Sequence, residues 1–230
     1  MIQNYNDFIN ALLETGFSGA IGGKDDGVFS LFRYGWGAEE ETGVEWHTGD
    51  PDTDPWQWRV RVLEERGDIA YAKVFFRKAG YITKEWYPYF FAARRRGKTL
   101  EEEYGDGVVS HFAKRIYQAV EEHGSLPLDL LKRYAGFSRE DKPKFDAALN
   151  ELQMKMYLTI SGIKQNYSRD GKIYGWTTTV LDTPERFFDK SCFKKAGSMT
   201  ASEAADKITE RIYKLNSAAN SKKIEKFIKG

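Results

Sequence analysis

"YLTISGIKQNYSRDGKIYGWTTTVLD", Tyr157 to Asp182, is where the hydrophobic period changes and the fold becomes readable. "YLTISGIKQ" alternates, "NYSRDG" turns, and "KIYGWTTTVLD" is rich in β-branched residues. Side chains alternate across the two faces of a strand, so this pattern predicts a two-stranded ribbon. The residues before it keep a helical period. Val109, Phe112, Ile116 and Val120 share one face, and Gly124 stops that helix. "SLPLDLLKRYAGF" gives a second, short helix with Leu128 and Leu131 inward. Ser138 with Asp141 resembles a capping box opening a third, whose inward residues are Phe145, Leu149, Leu152 and Met156.

Three helices followed by a ribbon is the winged-helix order. In such folds the third helix often enters the DNA major groove and the ribbon tip touches backbone. Lys144 and Asn150 on the third helix, with Lys164, Arg169 and Lys172 on the ribbon, are the candidate nucleic-acid contacts.

Upstream, "NDFINALLETG" reads as a short helix stopped by Gly16, and Val28 to Tyr34 as an alternating, strand-like patch. Residues 68–96 predict a helix, an extended piece broken at Pro88, and a second helix ending in Arg94, Arg95 and Arg96, a further phosphate-binding candidate. "GKTLEEEYGDG" reads as a polar connector. The fold class is therefore α+β and helix-rich, with a winged helix-turn-helix in the C-terminal half packed on an N-terminal α/β region. The expected domains are 1–105, 106–190 and a basic helical tail over 191–230.

The remaining puzzle is "EWHTGDPDTDPWQWR", Glu45 to Arg59, which holds three of the six tryptophans and one of the three histidines. Asp54 is a good N-cap and Pro55 suits the first helical position. Trp56, Val60 and Leu63 then form an apolar stripe that Trp58 and Val62 widen. Glu45 to Asp52 needs another explanation. A calcium loop fails, because the sixth and twelfth positions hold Pro55 and Arg61 rather than Gly and Glu. No dinucleotide or P-loop glycine spacing is present, so neither metal nor cofactor is expected.

The net charge of +1 hides an acidic front, Asp25 to Asp54, and a basic stretch from Lys190 onward. Such a basic tail can hold phosphates by displacing counterions. Aromatic residues make up 15% of the chain, which supports either a dense core or an aromatic-lined pocket. Cys192 is the single cysteine, which excludes an intramolecular disulfide framework. No export signal or membrane-length apolar run is visible, and the expectation is a cytoplasmic protein without membrane contact.

"KAGYITKEWYPYFFAARR", followed by a winged helix closing in "YGWTTTVLDTPERFF", resembles the AlkZ-type winged-helix family. The resemblance implies kinship to bacterial DNA glycosylases that excise bases from alkylated or crosslinked DNA, and this chain looks like a shortened, AlkZ-related member. Those enzymes carry Gln-x-Gln or Gln-x-Asp just before an early helix to position the attacking water. The matching place here holds Glu45-Trp46-His47, which makes Glu45 a candidate general base and His47 its titrating partner. Trp46, Asp52, Trp56 and Tyr81 would line the pocket for an extruded base. Duplex DNA is the implied partner, and any enzymatic activity would be that of a glycosylase-like hydrolase. Two alternatives stand beside this reading. One is a small-molecule binder or enzyme using the same Glu45/His47 cleft, and the other is a non-catalytic interaction module.

Overall fold

Asn4 starts the first helix by accepting the Asp7 N–H on its side-chain oxygen at 3.0 Å, in a computed structural model that describes residues 2–19, 28–34, 44–168, 170–173, 175 and 177–230. That helix, α1 (Tyr5–Thr15), buries Tyr5, Phe8, Ile9 and Leu12 and ends at Gly16, whose φ of 91° suits glycine. A Cβ at Gly16 would also lie 2.1 Å from the Trp86 indole, so the position is closed to side chains twice over. The chain divides into two units: residues 1–97 with 188–230, and residues 98–187.

In the first unit, β1 (Phe17–Ser18) is followed by α2 (Leu31–Tyr34) and α3 (Pro55–Glu65). The strand-like reading of Val28 to Tyr34 gives way to this short helical turn. Next comes a hairpin, β2 (Ile69–Phe75) and β3 (Lys78–Thr83), where a helix and an extended piece were expected. Its two-residue turn is Phe76-Arg77, with φ of 50° and 61°, the left-handed geometry that a tight hairpin requires. Within the hairpin Tyr71 lies opposite Tyr81, and β3 also pairs antiparallel with β1, which places Phe17 opposite Ile82. α4 (Tyr87–Arg95) then runs into the arginine cluster as its sequence suggests.

The second unit opens with α5 (Leu100–Gly105), in the segment expected to be a connector. Thr99 and Glu102 form a reciprocal capping box that satisfies two of its first N–H groups. α6 (His111–His123), β4 (Leu126–Pro127), α7 (Leu128–Tyr134) and α8 (Lys142–Met154) follow, then β5 (Thr159–Lys164), β6 (Thr178–Asp182) and α9 (Pro184–Phe187). β6 pairs antiparallel with both β5 and β4, with Leu181 opposite Ile160 and Leu126. Ala113, Ile116, Val120, Leu131, Leu152 and Tyr157 are each 0% exposed and form the centre of this core.

The chain then rejoins the first unit through α10 (Lys190–Gly197), α11 (Ala201–Leu215) and α12 (Ser221–Lys229). The expected tail is thus part of a core. Ile224, Phe227 and Ile228 of α12 are buried, and the Phe227 ring stacks on Phe75 at 3.8 Å between centroids. The tail's lysines stay on the surface, where Lys207 and Lys214 both reach Glu210. The whole is α+β, with helices and antiparallel strands. No described helix is long and apolar enough to cross a membrane.

Candidate functional site

The loop from Glu45 to Thr53 is built around one carboxylate. Asp54 accepts the main-chain N–H groups of His47 at 3.1 Å, Gly49 at 3.0 Å and Trp56 at 2.8 Å. Burial pushes its pKa up, but these three hydrogen bonds and the nearby His47 outweigh that and hold the group below its usual value. The expected N-cap is therefore present, and it does more than cap α3. His47 is held at φ 63° and Gly49 at φ 82°, so the loop curls back over its own acceptor. Asp50 makes a second, smaller turn by accepting the N–H groups of Asp52 and Thr53 at 2.7 and 2.9 Å. Asp52 is tied down through its carbonyl, which takes the Trp58 indole N–H and the Tyr5 N–H, both at 2.9 Å. Its carboxylate lies 3.7 Å from Arg61. Two of the aspartates thus serve the loop's own backbone.

This frame fixes which face of α3 turns inward. Trp58 and Val62 are 0% exposed, whereas Trp56 is 38% exposed, so the apolar stripe runs one position round from the expected Trp56–Val60–Leu63 line. Trp56 instead stands at the surface with His47 5.3 Å from it, between ring centroids. From His47 the contacts continue to Trp46 at 6.2 Å, from Trp46 to Phe32 at 6.1 Å, and from Phe32 to Tyr81 at 6.3 Å. Tyr81 in turn touches Tyr71 at 4.8 Å. At the other end, the Arg59 guanidinium lies 4.0 Å from the Trp56 centroid. The result is an arc of flat side chains from Arg59 to Tyr71, anchored beneath by Phe8, which stacks on Trp58 at 5.2 Å and meets Tyr81 edge-on at 5.3 Å.

Glu45, His47 and Asp52 are exposed, and Trp46, like Trp56, is 38% exposed. The side chains of Glu45 and His47 share no hydrogen bond. Tyr81 is not the open stacking face that the sequence suggested, being 0% exposed. It is nevertheless incompletely used. Its hydroxyl and the Arg59 Nε are both buried without a hydrogen-bond partner. Each such group costs about 1–3 kcal/mol while it remains unbonded in the interior. Burial raises the pKa of both Tyr71 and Tyr81, while the charge of Arg59 pulls each the other way, so the guanidinium lies within electrostatic reach of both phenols. Arg59 and Tyr71 escaped the sequence reading. The available signal was the spacing of Arg59 three residues after Trp56, which places the two side chains together on a helix.

Elsewhere the arginine triple separates. Arg94 and Arg95 are 7% and 8% exposed. Arg94 donates to the carbonyls of Phe227 at 2.9 Å and Ile228 at 2.8 Å, and Arg95 lies over the Phe91 ring at 4.9 Å. Arg96 alone of the three is exposed, in a left-handed conformation after α4. In the second unit Lys144 is exposed on α8 and bonds Asp141 at 3.2 Å, while Asn150 is half-buried. Lys164 ends β5 and is exposed, as is Lys172 near the hairpin tip. Arg169 lies outside the described residues.

The fold and this arc define a helix-rich α+β protein carrying a surface of aromatic rings, one guanidinium and a carboxylate-organised loop. Residues 2–229 match the model of the family described as AlkZ related, so the chain belongs to the AlkZ-related family. No curated protein and no solved structure matches it.

Proposed function

We propose that this chain is a DNA-associated protein that holds a damaged or displaced base on the arc between Tyr71 and Arg59. The observation that carries this reading is the arc itself, in a chain of the AlkZ-related family. Aromatic faces accept any base, and a guanidinium beside them suits an acceptor atom or phosphate. Glu45 and His47 stand exposed beside the arc, where a carboxylate would serve as general base for water in a glycosylase-like hydrolysis and an imidazole as its partner. The second unit works as a winged helix. Its order of α6, β4, α7, α8 and the β5–β6 hairpin supports that assignment, with Lys144 and Asn150 on the third helix and Lys164 and Lys172 along the ribbon meeting duplex backbone. Arg96 adds a phosphate contact from the first unit. The test is a titration against undamaged and lesion-bearing duplexes at two salt concentrations. Tighter binding of a lesion, weakening with salt, is expected; equal weak binding to all of them removes the proposal.

A second reading is favoured by one observation. Glu45, Asp50 and Asp52 are all exposed beside the arc, and carboxylates repel a phosphate backbone. The same surface would then hold a small molecule. In that case Glu45→Gln and His47→Ala abolish ligand binding or turnover without changing any affinity for DNA.

A further inference from the structure

Two large apolar side chains stand in water at the tip of the β5–β6 hairpin. Tyr167 and Ile173 are 60% and 66% exposed, the highest values among the large apolar side chains of the described residues. They oppose each other across an antiparallel bridge, so both stand on the same face of the ribbon. Beyond them the turn is held by its own bonds. The Gly171 N–H donates to the Ser168 carbonyl at 3.0 Å, the Ser168 N–H to the Lys172 carbonyl at 2.8 Å, and the Lys172 N–H to the Ser168 hydroxyl at 3.1 Å. Gly171, at φ 74°, supplies the left-handed step. The apolar pair is thus presented in advance on a fixed turn, which lowers the ordering cost of binding. Exposed apolar strand ends invite association, and folds commonly blunt them with polar residues. The surroundings of this pair select the partner. Lys164 and Lys172 are exposed on the two arms of the hairpin, and neither makes an ion pair among the described residues. Asp170 is the one acid between residues 164 and 173. An apolar tip flanked by two cations suits a surface that is anionic along its rails and apolar between its stacked layers, and a duplex groove has both.

We infer that this tip is a wedge: Tyr167 and Ile173 enter the minor groove and part a base step, bending the duplex, while Lys164 and Lys172 hold the phosphates beside it. The inference rests on the DNA reading above and adds a deformation of the duplex to it. The minor groove is the side from which apolar side chains open a base step. Such a wedge reads no base edge, so its preference follows the ease of unstacking. Pyrimidine–purine steps yield readily and A-tracts resist.

The experiment uses two undamaged duplexes of equal length, one with central pyrimidine–purine steps and one with a central A-tract. Each carries 2-aminopurine at its centre and a fluorophore on each end. End-to-end energy transfer reads bending and 2-aminopurine brightness reads unstacking, both at saturating protein. The wild type should raise both signals on the flexible duplex and bind it about ten-fold more tightly than the stiff one. Tyr167→Ser and Ile173→Ser should each erase that preference and both signals. Their salt slope and melting temperature should not change, because neither substitution removes a charge or a buried group. Lys172→Ala should instead weaken both duplexes alike and leave the bending at saturation intact. Wild-type binding without bending or unstacking overturns the inference and leaves the DNA reading standing, as does a serine variant that bends the duplex like the wild type. A serine variant that melts earlier, or that changes the sedimentation of the free protein, also overturns it, by making the pair a packing element or a contact between copies. If no duplex binds at all, both readings fall.

Discussion

The guanidinium of Arg94 donates to the main-chain carbonyl of Ile228 across 2.8 Å, joining residues 134 positions apart. It also takes the Phe227 carbonyl, so a buried cation closes the C-terminal end of α12, where unpaired carbonyls and the negative end of the helix dipole favour positive charge. Burial lowers the Arg94 pKa to about 9, which leaves it protonated at neutral pH. Arg94→Met keeps the stem and removes both bonds. It should destabilise the protein by about 2–4 kcal/mol, with denaturant unfolding as the measure. Arg96→Met, at an exposed position with no such partners, should stay within about 0.5 kcal/mol of wild type.

Asp54 is the second position where one side chain holds a segment. Asp54→Ala removes a helix cap and two further bonds to the loop, and a loss of about 2–3 kcal/mol is expected from those together. Asp54→Asn keeps the shape but weakens the acceptor and should fall between. The loop should also register the loss in amide hydrogen exchange, with the His47 and Gly49 N–H groups exchanging faster in Asp54→Ala. Unchanged protection at those two amides would show that Asp54 does not organise the loop.

Acid should unfold the protein along a defined course. Hydrogen bonds from Ser138 and Lys144 bring Asp141 down to about 2, and those from Lys84 and Ser191 bring Asp189 to the same range. Asp54 is lowered as well. A carboxylate with a depressed native pKa is still ionised when its unfolded counterpart takes up a proton, so the unfolded state gains protons first. Stability is therefore present above about pH 4 and lost as pH falls toward 2. Asp189→Asn should flatten that slope in urea titrations run across the window.

The second unit was more legible than the first, for physical reasons. In residues 98–187 the buried positions recur at helical spacing up to Leu152, and alternation then marks the hairpin, in which Ile160 lies opposite Leu181. The first unit hides its hairpin. Ile69, Ala70, Ala72, Val74 and Phe75 are all buried, which blurs the alternation expected of a half-exposed strand. Its turn uses Phe76 and Arg77 at positive φ, where Asn-Gly would have announced it. Arginine clusters read as surface, yet the helix carbonyls that bury Arg94 come from 133 and 134 residues away, which no local pattern reveals. Within the candidate site, Trp46, His47 and Trp56 were legible by composition alone. Arg59 and Tyr71 were not, because their roles depend on how α3 packs beside β2.

If DNA is the partner, the exposed cations of the second unit act mainly through phosphate. Lys164→Ala and Lys172→Ala should each weaken binding to all duplexes alike and reduce the salt slope by about 1. Asn150→Ala, on the face of α8, should instead alter preference among sequences. Filter binding across a salt series separates the two behaviours.

Trp46 and Trp56 report directly on whether the arc receives a base, since both are half-exposed and would be covered by a stacked guest. Tryptophan fluorescence should be followed during titration with a lesion-bearing duplex and its undamaged counterpart. The account predicts strong quenching by the lesion duplex alone, reduced in both Trp46→Leu and Trp56→Leu along with affinity. Equal quenching by the two duplexes, or lesion-selective binding that leaves both tryptophans unquenched, would contradict it.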